Sequence, residues 1–143
     1  MNKQDSHKEK FKQALISTVK VISEDYKIAK GKENESSKNI NFFELDNLTT
    51  KHDFVRFRAE ADSEALKKKF SNKEIYKKNI PNNSSYRSLY DISEKIRYEL
   101  LGSRMLKGIS KNFNENYNQQ INLKRKDQLK SKDDVSVAEA FEL

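Results

Sequence analysis

The stretch that most constrains the fold of this chain is KHDFVRFRAEADSEALKKKF, residues 51–70, which contains neither glycine nor proline. Its apolar residues recur at steps of three and four, which is the spacing of one side of an α-helix. Thr50 and Asp53 have the spacing of a helix N-cap and open the stretch. We therefore predict a long, central helix over about residues 50–70 that is apolar on a broad face.

A second long helix is predicted over about residues 85–113 by the same periodicity. Its apolar positions are Leu89, Ile92, Ile96, Leu100, Leu101, Met105, Ile109 and Phe113. Gly102 and Gly108 interrupt the pattern, and a glycine inside a helix costs about 1 kcal/mol relative to alanine. The close approach of another helix, or a helix C-cap, would account for these glycines.

Shorter elements complete the predicted fold. Apolar spacing predicts an N-terminal amphipathic helix over about residues 8–23. Ser71 and Glu74 have the capping-box spacing and predict a short helix, which ends before Pro81 because proline cannot extend it. Residues 26–43 fit two short strands around a polar loop, a small β-hairpin. The expected fold class is therefore mainly α, with two long helices.

Composition limits the core and the compartment. Charged residues make up 36% of the chain and the mean hydropathy is −1.01, so the hydrophobic core must be thin. The chain has no cysteine, which excludes disulfides and thiol chemistry and fits a reducing compartment. No stretch is apolar enough for a signal peptide or a membrane span. We expect a soluble, cytoplasmic protein.

The positive charge lies in the middle of the chain. The formal net charge is +7, and residues 51–111 hold 15 of the basic and only 8 of the acidic residues. Lysines between Lys67 and Lys78 supply much of this excess. Such a cluster can attract nucleic acid or an acidic protein surface, and it can also be an ordinary solvated helix face. A basic helical module that binds nucleic acid or protein is therefore the alternative function.

Motifs for autonomous catalysis are missing. The glycine spacing of a phosphate-binding loop, GxxxxGK[ST], does not occur. The two histidines, His7 and His52, are not part of an HExxH pattern, so a catalytic zinc site with three protein ligands has little to draw on. We find no nucleophile–base pair either. The residues alone give no reason to expect catalysis, a cofactor or a resident metal in this chain.

Asp62 is the polar residue that stands out, because it lies on the apolar stripe of the helix predicted over residues 50–70. A carboxylate there is costly unless it is paired. Arg58 lies one turn earlier, and Arg97 and Arg104 lie seven residues apart on one face of the second long helix. With Glu94 on the same line, these residues predict interhelical ion pairs that fix the register of the two helices. A docking surface is the other interpretation.

Two segments carry a family resemblance. RAEADSEAL, residues 58–66, and EKIRYELLGSRMLKGISKN, residues 94–112, resemble the N-terminal region of the T subunit of aerobic, ATP-dependent cobaltochelatase, the CobT family. The family elements are R-x-x-A-D-x-x-A-L and E-x-x-R-x-E-x-x-G-x-R-x-x-x-G-x-x-K-N. The matching motif residues that we take as a structural or partner-binding network are Arg58, Asp62, Glu94, Arg97, Glu99, Gly102, Arg104, Gly108, Lys111 and Asn112.

The resemblance implies a function in cobalamin biosynthesis. In this family an AAA+ ATPase subunit, S, and a large subunit, N, which holds the corrin, work with the T subunit to insert Co²⁺ into hydrogenobyrinic acid a,c-diamide. The complex is a ligase that forms nitrogen–metal bonds and uses ATP and Mg²⁺. The resemblance implies that this chain is a non-catalytic assembly or adaptor part of it, without a cofactor of its own. We also expect a homo-oligomer within the complex.

The end of the chain leads to one more expectation. A new apolar pattern begins near Val135 and stops at Leu143, which suggests that residues 1–143 are the N-terminal domain of a longer protein. The resemblance implies a C-terminal von Willebrand factor A-type domain beyond Leu143. Asp134 and Ser136 fit only part of that domain's D-x-S-x-S metal motif, so we assign no metal site to them.

Overall fold

A computed structural model describes residues 3–24, 49–126, 131 and 134–142 of the chain. These residues form six α-helices and contain no strand, which confirms the predicted mainly α fold class. None of the described helices is both long and apolar enough to cross a bilayer. The hairpin predicted over residues 26–43 lies outside the described residues. The helices are α1 (Lys3–Ser23), α2 (Lys51–Phe70), α3 (Lys73–Asn79), α4 (Ser84–Met105), α5 (Lys107–Lys126) and α6 (Val137–Glu142).

The chain divides into two compact units, Met1–Lys69 and Phe70–Leu143. The first contains α1 and nearly all of α2, and the second contains α3 to α6. The sequence-based assignment of residues 1–143 to one domain of a longer chain stays a prediction.

Helices α1 and α2 of the first unit run parallel to each other. The rings of Phe11, near the middle of α1, and Phe54, in the first turn of α2, pack edge to face with centroids 5.0 Å apart. At the C-terminal ends of the two helices Lys69 forms an ion pair with Glu24. The buried apolar residues of α1 and α2 are Leu15, Val19, Ile22, Phe57, Ala59, Ala61, Ala65 and Leu66. On α2 they occupy more than half of the helix circumference, as expected for a central helix.

Side-chain caps set the helix starts. Thr50 and Asp53 form the predicted capping box of α2: the Asp53 amide donates to the Thr50 hydroxyl (3.2 Å), and the Thr50 amide donates to the Asp53 carboxylate (2.9 Å). The cap of α3 is Asn72, whose side-chain oxygen accepts from the amides of the next helical residues, rather than the predicted Ser71. Asn83 caps α4 in the same way. Asn72 can take the place expected for Ser71 because the side-chain carbonyl of asparagine also accepts hydrogen bonds from the free amides at the start of a helix.

The second predicted long helix is two helices, because the chain is extended at Leu106. The Leu106 amide still donates to the Gly102 carbonyl (2.9 Å), while its own carbonyl accepts from Ile109 (3.0 Å). Helix α5 also continues to Lys126, well past the predicted end at Phe113. In one straight helix, Glu99 and Tyr117 would be about 27 Å apart at 1.5 Å per residue. The break at Leu106 lets α5 fold back so that these two side chains meet.

Two short helices complete the second unit. Helix α3 contacts α4 through Tyr76, whose hydroxyl donates to Asp91 and whose ring lies 5.5 Å from that of Tyr90. Helix α6 is joined to α4 by the Lys95–Glu142 ion pair and to α5 by the Lys124–Glu139 ion pair. The Glu139 amide donates to the Ser136 hydroxyl (3.2 Å), so Ser136 caps the start of α6.

Candidate functional site

The first motif element lies on α2, with its two charged residues in opposite environments. Asp62 is only 1% exposed, among the buried alanines of α2, whereas Arg58 is exposed. No buried side-chain nitrogen or oxygen in the described residues lacks a hydrogen-bond partner, and Asp62 takes part in an interaction. The expected burial of Asp62 is therefore observed. Its pairing with Arg58 or Arg97 stays a prediction, whereas Arg104 forms no ion pair among the described residues.

The second motif element begins with an ion pair inside α4. The Arg97 guanidinium donates from Nε (3.0 Å) and from a terminal nitrogen (2.9 Å) to the two oxygens of Glu94. The terminal nitrogen also donates to the backbone carbonyl of Phe70 (3.0 Å). The hydrogen bonds to Glu94 raise the pKa of Arg97 above its ordinary value, so the group is always charged. Arg97 thus binds one of the carbonyls that the C-terminal end of a helix leaves free.

Glu99 is the buried acid of the second motif element. It is 6% exposed, and its Oε2 atom accepts a hydrogen bond from the Tyr117 hydroxyl of α5 (2.8 Å). Burial raises the pKa of Tyr117 far above 10, and the charge of Glu99 raises it further, so the phenol stays protonated and keeps donating. The ammonium group of Lys95 lies 5.7 Å from the centre of the Tyr117 ring. Glu99 therefore links α4 to α5.

Tyr117 was missed by the sequence-based prediction, which treated the residues after Phe113 as poorly patterned. A signal was present, because Ile109, Phe113 and Asn116 are spaced at four and three residues and all three are buried on α5. The middle of this helix is rich in asparagine and glutamine, which hides the pattern when only apolar residues are counted. Counting Asn116 as an inward-facing position would have extended the predicted helix to Tyr117 and beyond.

Some of the remaining motif residues are buried and others are exposed to solvent. Gly102 is buried, whereas Arg104, Gly108 and Lys111 are exposed, and Asn112 is half-buried. A Cβ atom added at Gly108 would meet nothing within 4 Å. Gly108 lies in the first turn of α5, and the C-cap of α4 is Leu106, so neither the close helix approach nor the C-cap that the sequence predicted applies to Gly108. The motif thus combines buried structural residues with exposed ones.

A surface with both apolar and positive side chains surrounds the break between α4 and α5. Leu100, Leu101, Met105 and Leu106 are 54%, 38%, 47% and 41% exposed. The exposed cations Arg104, Lys107 and Lys111 lie beside or between them in the sequence. We call these seven residues the corner surface. It includes two of the exposed motif residues, Arg104 and Lys111.

The central lysines belong to both units. Lys67 lies 3.8 Å from Glu64, and Lys69 is paired with Glu24, both within the first unit. Lys73, Lys77 and Lys78 are exposed on α3 of the second unit. The part of the chain that the structure describes contains no group of three or more His, Cys, Asp or Glu side chains that could hold a metal ion.

Comparison with known proteins agrees with the resemblance of residues 58–66 and 94–112. A family model described as cobalamin biosynthesis protein CobT matches residues 5–143. The match includes both motif elements and continues through α5 and α6. No solved structure matches the chain.

Proposed function

Since the chain belongs to the CobT family of cobalamin biosynthesis proteins, we propose that it is a non-catalytic part of an ATP-dependent cobaltochelatase. The complex inserts Co²⁺, its metal substrate, into hydrogenobyrinic acid a,c-diamide in the cytoplasm. The chain acts as an assembly or adaptor domain between the AAA+ S subunit and the large N subunit. ATP and Mg²⁺ serve the complex through the S subunit, and this chain holds neither.

The observation that carries the proposal is the family match over residues 5–143, which contains both motif elements. The physical requirement for an adaptor supports it. Inserting a metal into a corrin requires distorting the macrocycle and removing water from the ion. An ATPase can drive these steps only if its conformational change reaches the subunit that holds the substrate. A helical domain that binds both subunits meets this requirement.

The division of the motif between buried and exposed residues also favours an adaptor. Glu99 and Gly102 are buried within the second unit, where Glu99 accepts from Tyr117. Arg104 and Lys111 are exposed and, within the described structure, form no ion pair. Exposed charged residues in a family motif are typical of partner binding, whereas buried ones stabilise the fold. The second unit therefore offers partners a surface on a stable helical scaffold.

The test is assembly with purified subunits. The chain is mixed with the S subunit, with the N subunit or with both, with and without ATP, and each mixture is analysed by size-exclusion chromatography with mass measurement. We expect a complex with at least one subunit, and a different mass when ATP is bound to S. A chain that elutes alone in every mixture would overturn the adaptor proposal.

A further inference from the structure

The outer face of α4 combines arginine with exposed leucine and methionine. At 100° per residue, Leu100, Leu101, Arg104 and Met105 lie on one arc of the helix. The buried residues Glu99 and Gly102 lie outside this arc, and Tyr98, two turns before Met105, lies at its edge. The apolar residues on the arc are 38–54% exposed, and leucine and methionine this exposed are typical of an interaction site.

The charge of this region has one sign. Residues 100–111 contain Arg104, Lys107 and Lys111 and no aspartate or glutamate. None of the three cations takes part in an ion pair or hydrogen bond among the described residues. The nearest acids in the sequence are Glu115, half-buried and four residues after Lys111 on α5, and Glu99, which is buried against Tyr117; neither forms an ion pair with the three cations among the described residues. The corner surface thus attracts an acidic partner and also offers it apolar contacts.

We propose that the corner surface binds an acidic amphipathic helix of a protein partner. The partner helix places leucine or another apolar residue against Leu101, Met105 and Leu106, and places glutamate or aspartate beside Arg104, Lys107 and Lys111. This inference rests on the proposed adaptor function, and it gives the chemistry of the segment through which a partner subunit is held.

The chain itself contains an example of this kind of contact. Helix α6, with the sequence VAEAFE, is short, apolar and acidic, and it binds α4 and α5 through Glu142–Lys95 and Glu139–Lys124. One lysine of α4 and one lysine of α5 therefore already bind the acidic helix α6. The corner surface repeats this chemistry without an occupant from the described part of the chain.

Nucleic acid is the less suitable partner for the same surface. A phosphate backbone would satisfy Arg104, Lys107 and Lys111, but it would leave Leu101, Met105 and Leu106 exposed to water. Proteins that bind single strands usually combine such cations with aromatic side chains on which the bases stack. The corner surface has no aromatic residue. Its apolar residues therefore favour a protein helix.

The binding test uses a labelled model peptide and the full chain. The probe is a fluorescein-labelled amphipathic peptide of about 18 residues, five helical turns, with leucine on one face and glutamate beside it. Fluorescence anisotropy measures its affinity. Two further labelled probes are compared with it: a peptide with lysine in place of glutamate, and a single-stranded oligonucleotide of thymidine. We expect the acidic peptide to bind, more weakly at high salt, and the other two probes to bind less tightly.

Matched variants locate the binding site. Arg104→Glu with Lys107→Glu, and separately Leu101→Ser with Met105→Ser, should each weaken binding of the acidic peptide by roughly tenfold or more. The control, Lys73→Glu with Lys77→Glu, makes the same change of charge on exposed residues of α3 and should leave the affinity nearly unchanged. All the substituted residues are exposed, and circular dichroism checks that each variant keeps its fold.

The outcomes separate this inference from the adaptor proposal. If corner variants bind the acidic peptide as tightly as the wild type, or if the oligonucleotide is preferred, the inference is wrong. If the wild-type chain assembles with the S or N subunit and the corner variants do so equally well, the inference is wrong while the adaptor proposal stands. If the peptide binds at the corner surface but neither subunit binds the wild-type chain, the adaptor proposal fails and the inference stands.

Discussion

The Tyr117 hydroxyl donates to Oε2 of Glu99 across 2.8 Å, which connects α5 to α4 on the buried side of the second unit. Eighteen sequence positions separate the two residues. The contact therefore depends on the break at Leu106. It also gives the buried carboxylate of the second motif element a hydrogen-bond donor, without which its burial would be costly.

Tyr117→Phe is expected to destabilise the second unit by about 1–3 kcal/mol, because it leaves the buried Glu99 carboxylate short of a donor. The measurement is urea unfolding followed by circular dichroism. Tyr86→Phe is the matched control, because Tyr86 lies on α4 and is 65% exposed, so this variant should lose little stability. An equal loss of unfolding free energy in both variants would mean that the hydrogen bond to Glu99 does not stabilise the second unit.

Asp53→Asn should lower the free energy of unfolding at neutral pH. This difference from the wild type should disappear in acid. The Asp53 carboxylate accepts hydrogen bonds from Thr50, chiefly through the backbone, and these hold its pKa below the usual 3.8. A depressed pKa in the folded state contributes stability above the unfolded value, and this contribution is lost as the pH falls through the folded value. The free energies of unfolding of the wild type and the variant should therefore converge as the pH falls below about 3.8.

Unfolding by urea at a series of pH values between neutral and about pH 3 measures this effect. Glu74→Gln is the control, because Glu74 lies in the first turn of α3, where Asn72 provides the cap. A difference between wild type and Asp53→Asn that stays constant down to the lowest pH would contradict the role of the charged cap.

Arg97→Lys should destabilise the chain although it keeps the positive charge. The guanidinium contacts Glu94 twice and Phe70 once, and an ammonium group cannot reproduce this planar fork. We expect a loss of about 1 kcal/mol, because the pair with Glu94 is partly exposed. Arg104→Lys makes the same substitution seven residues later on an exposed site and should change the melting temperature less.

The helices and their apolar faces could be predicted from the sequence because they depend on local spacing. The helix over residues 50–70 agrees with α2, and its Thr50–Asp53 cap is present as predicted. The break at Leu106 could not be predicted, because leucine does not disfavour a helix and the extended conformation serves the distant contact between Glu99 and Tyr117. Long-range contacts of this kind leave no local pattern.

The candidate site, like the fold, could be predicted only in part from the sequence. The burial of Asp62 followed from its place on an apolar stripe, and Glu99 was named through the family motif. The corner surface was not predicted, because Leu101 and Met105 had been assigned to the apolar face of one continuous helix. Helix periodicity identifies a hydrophobic stripe, but it does not show whether another part of the chain covers it.

Asp62→Ala is expected to lower the melting temperature more than any surface substitution on α2. Asp62 is 1% exposed and takes part in an interaction, so alanine removes a buried polar group and leaves the group that it contacts without its partner. Leaving a buried polar group unsatisfied costs about 1–3 kcal/mol. The control is Glu60→Ala, since Glu60 lies 3.9 Å from Arg56 in an exposed pair of α2 that contributes about 1 kcal/mol or less. Thermal unfolding of both variants decides between the two interpretations of Asp62. A melting temperature for Asp62→Ala equal to that of Glu60→Ala would show that the carboxylate does not stabilise the fold, and it would favour a docking role for Asp62.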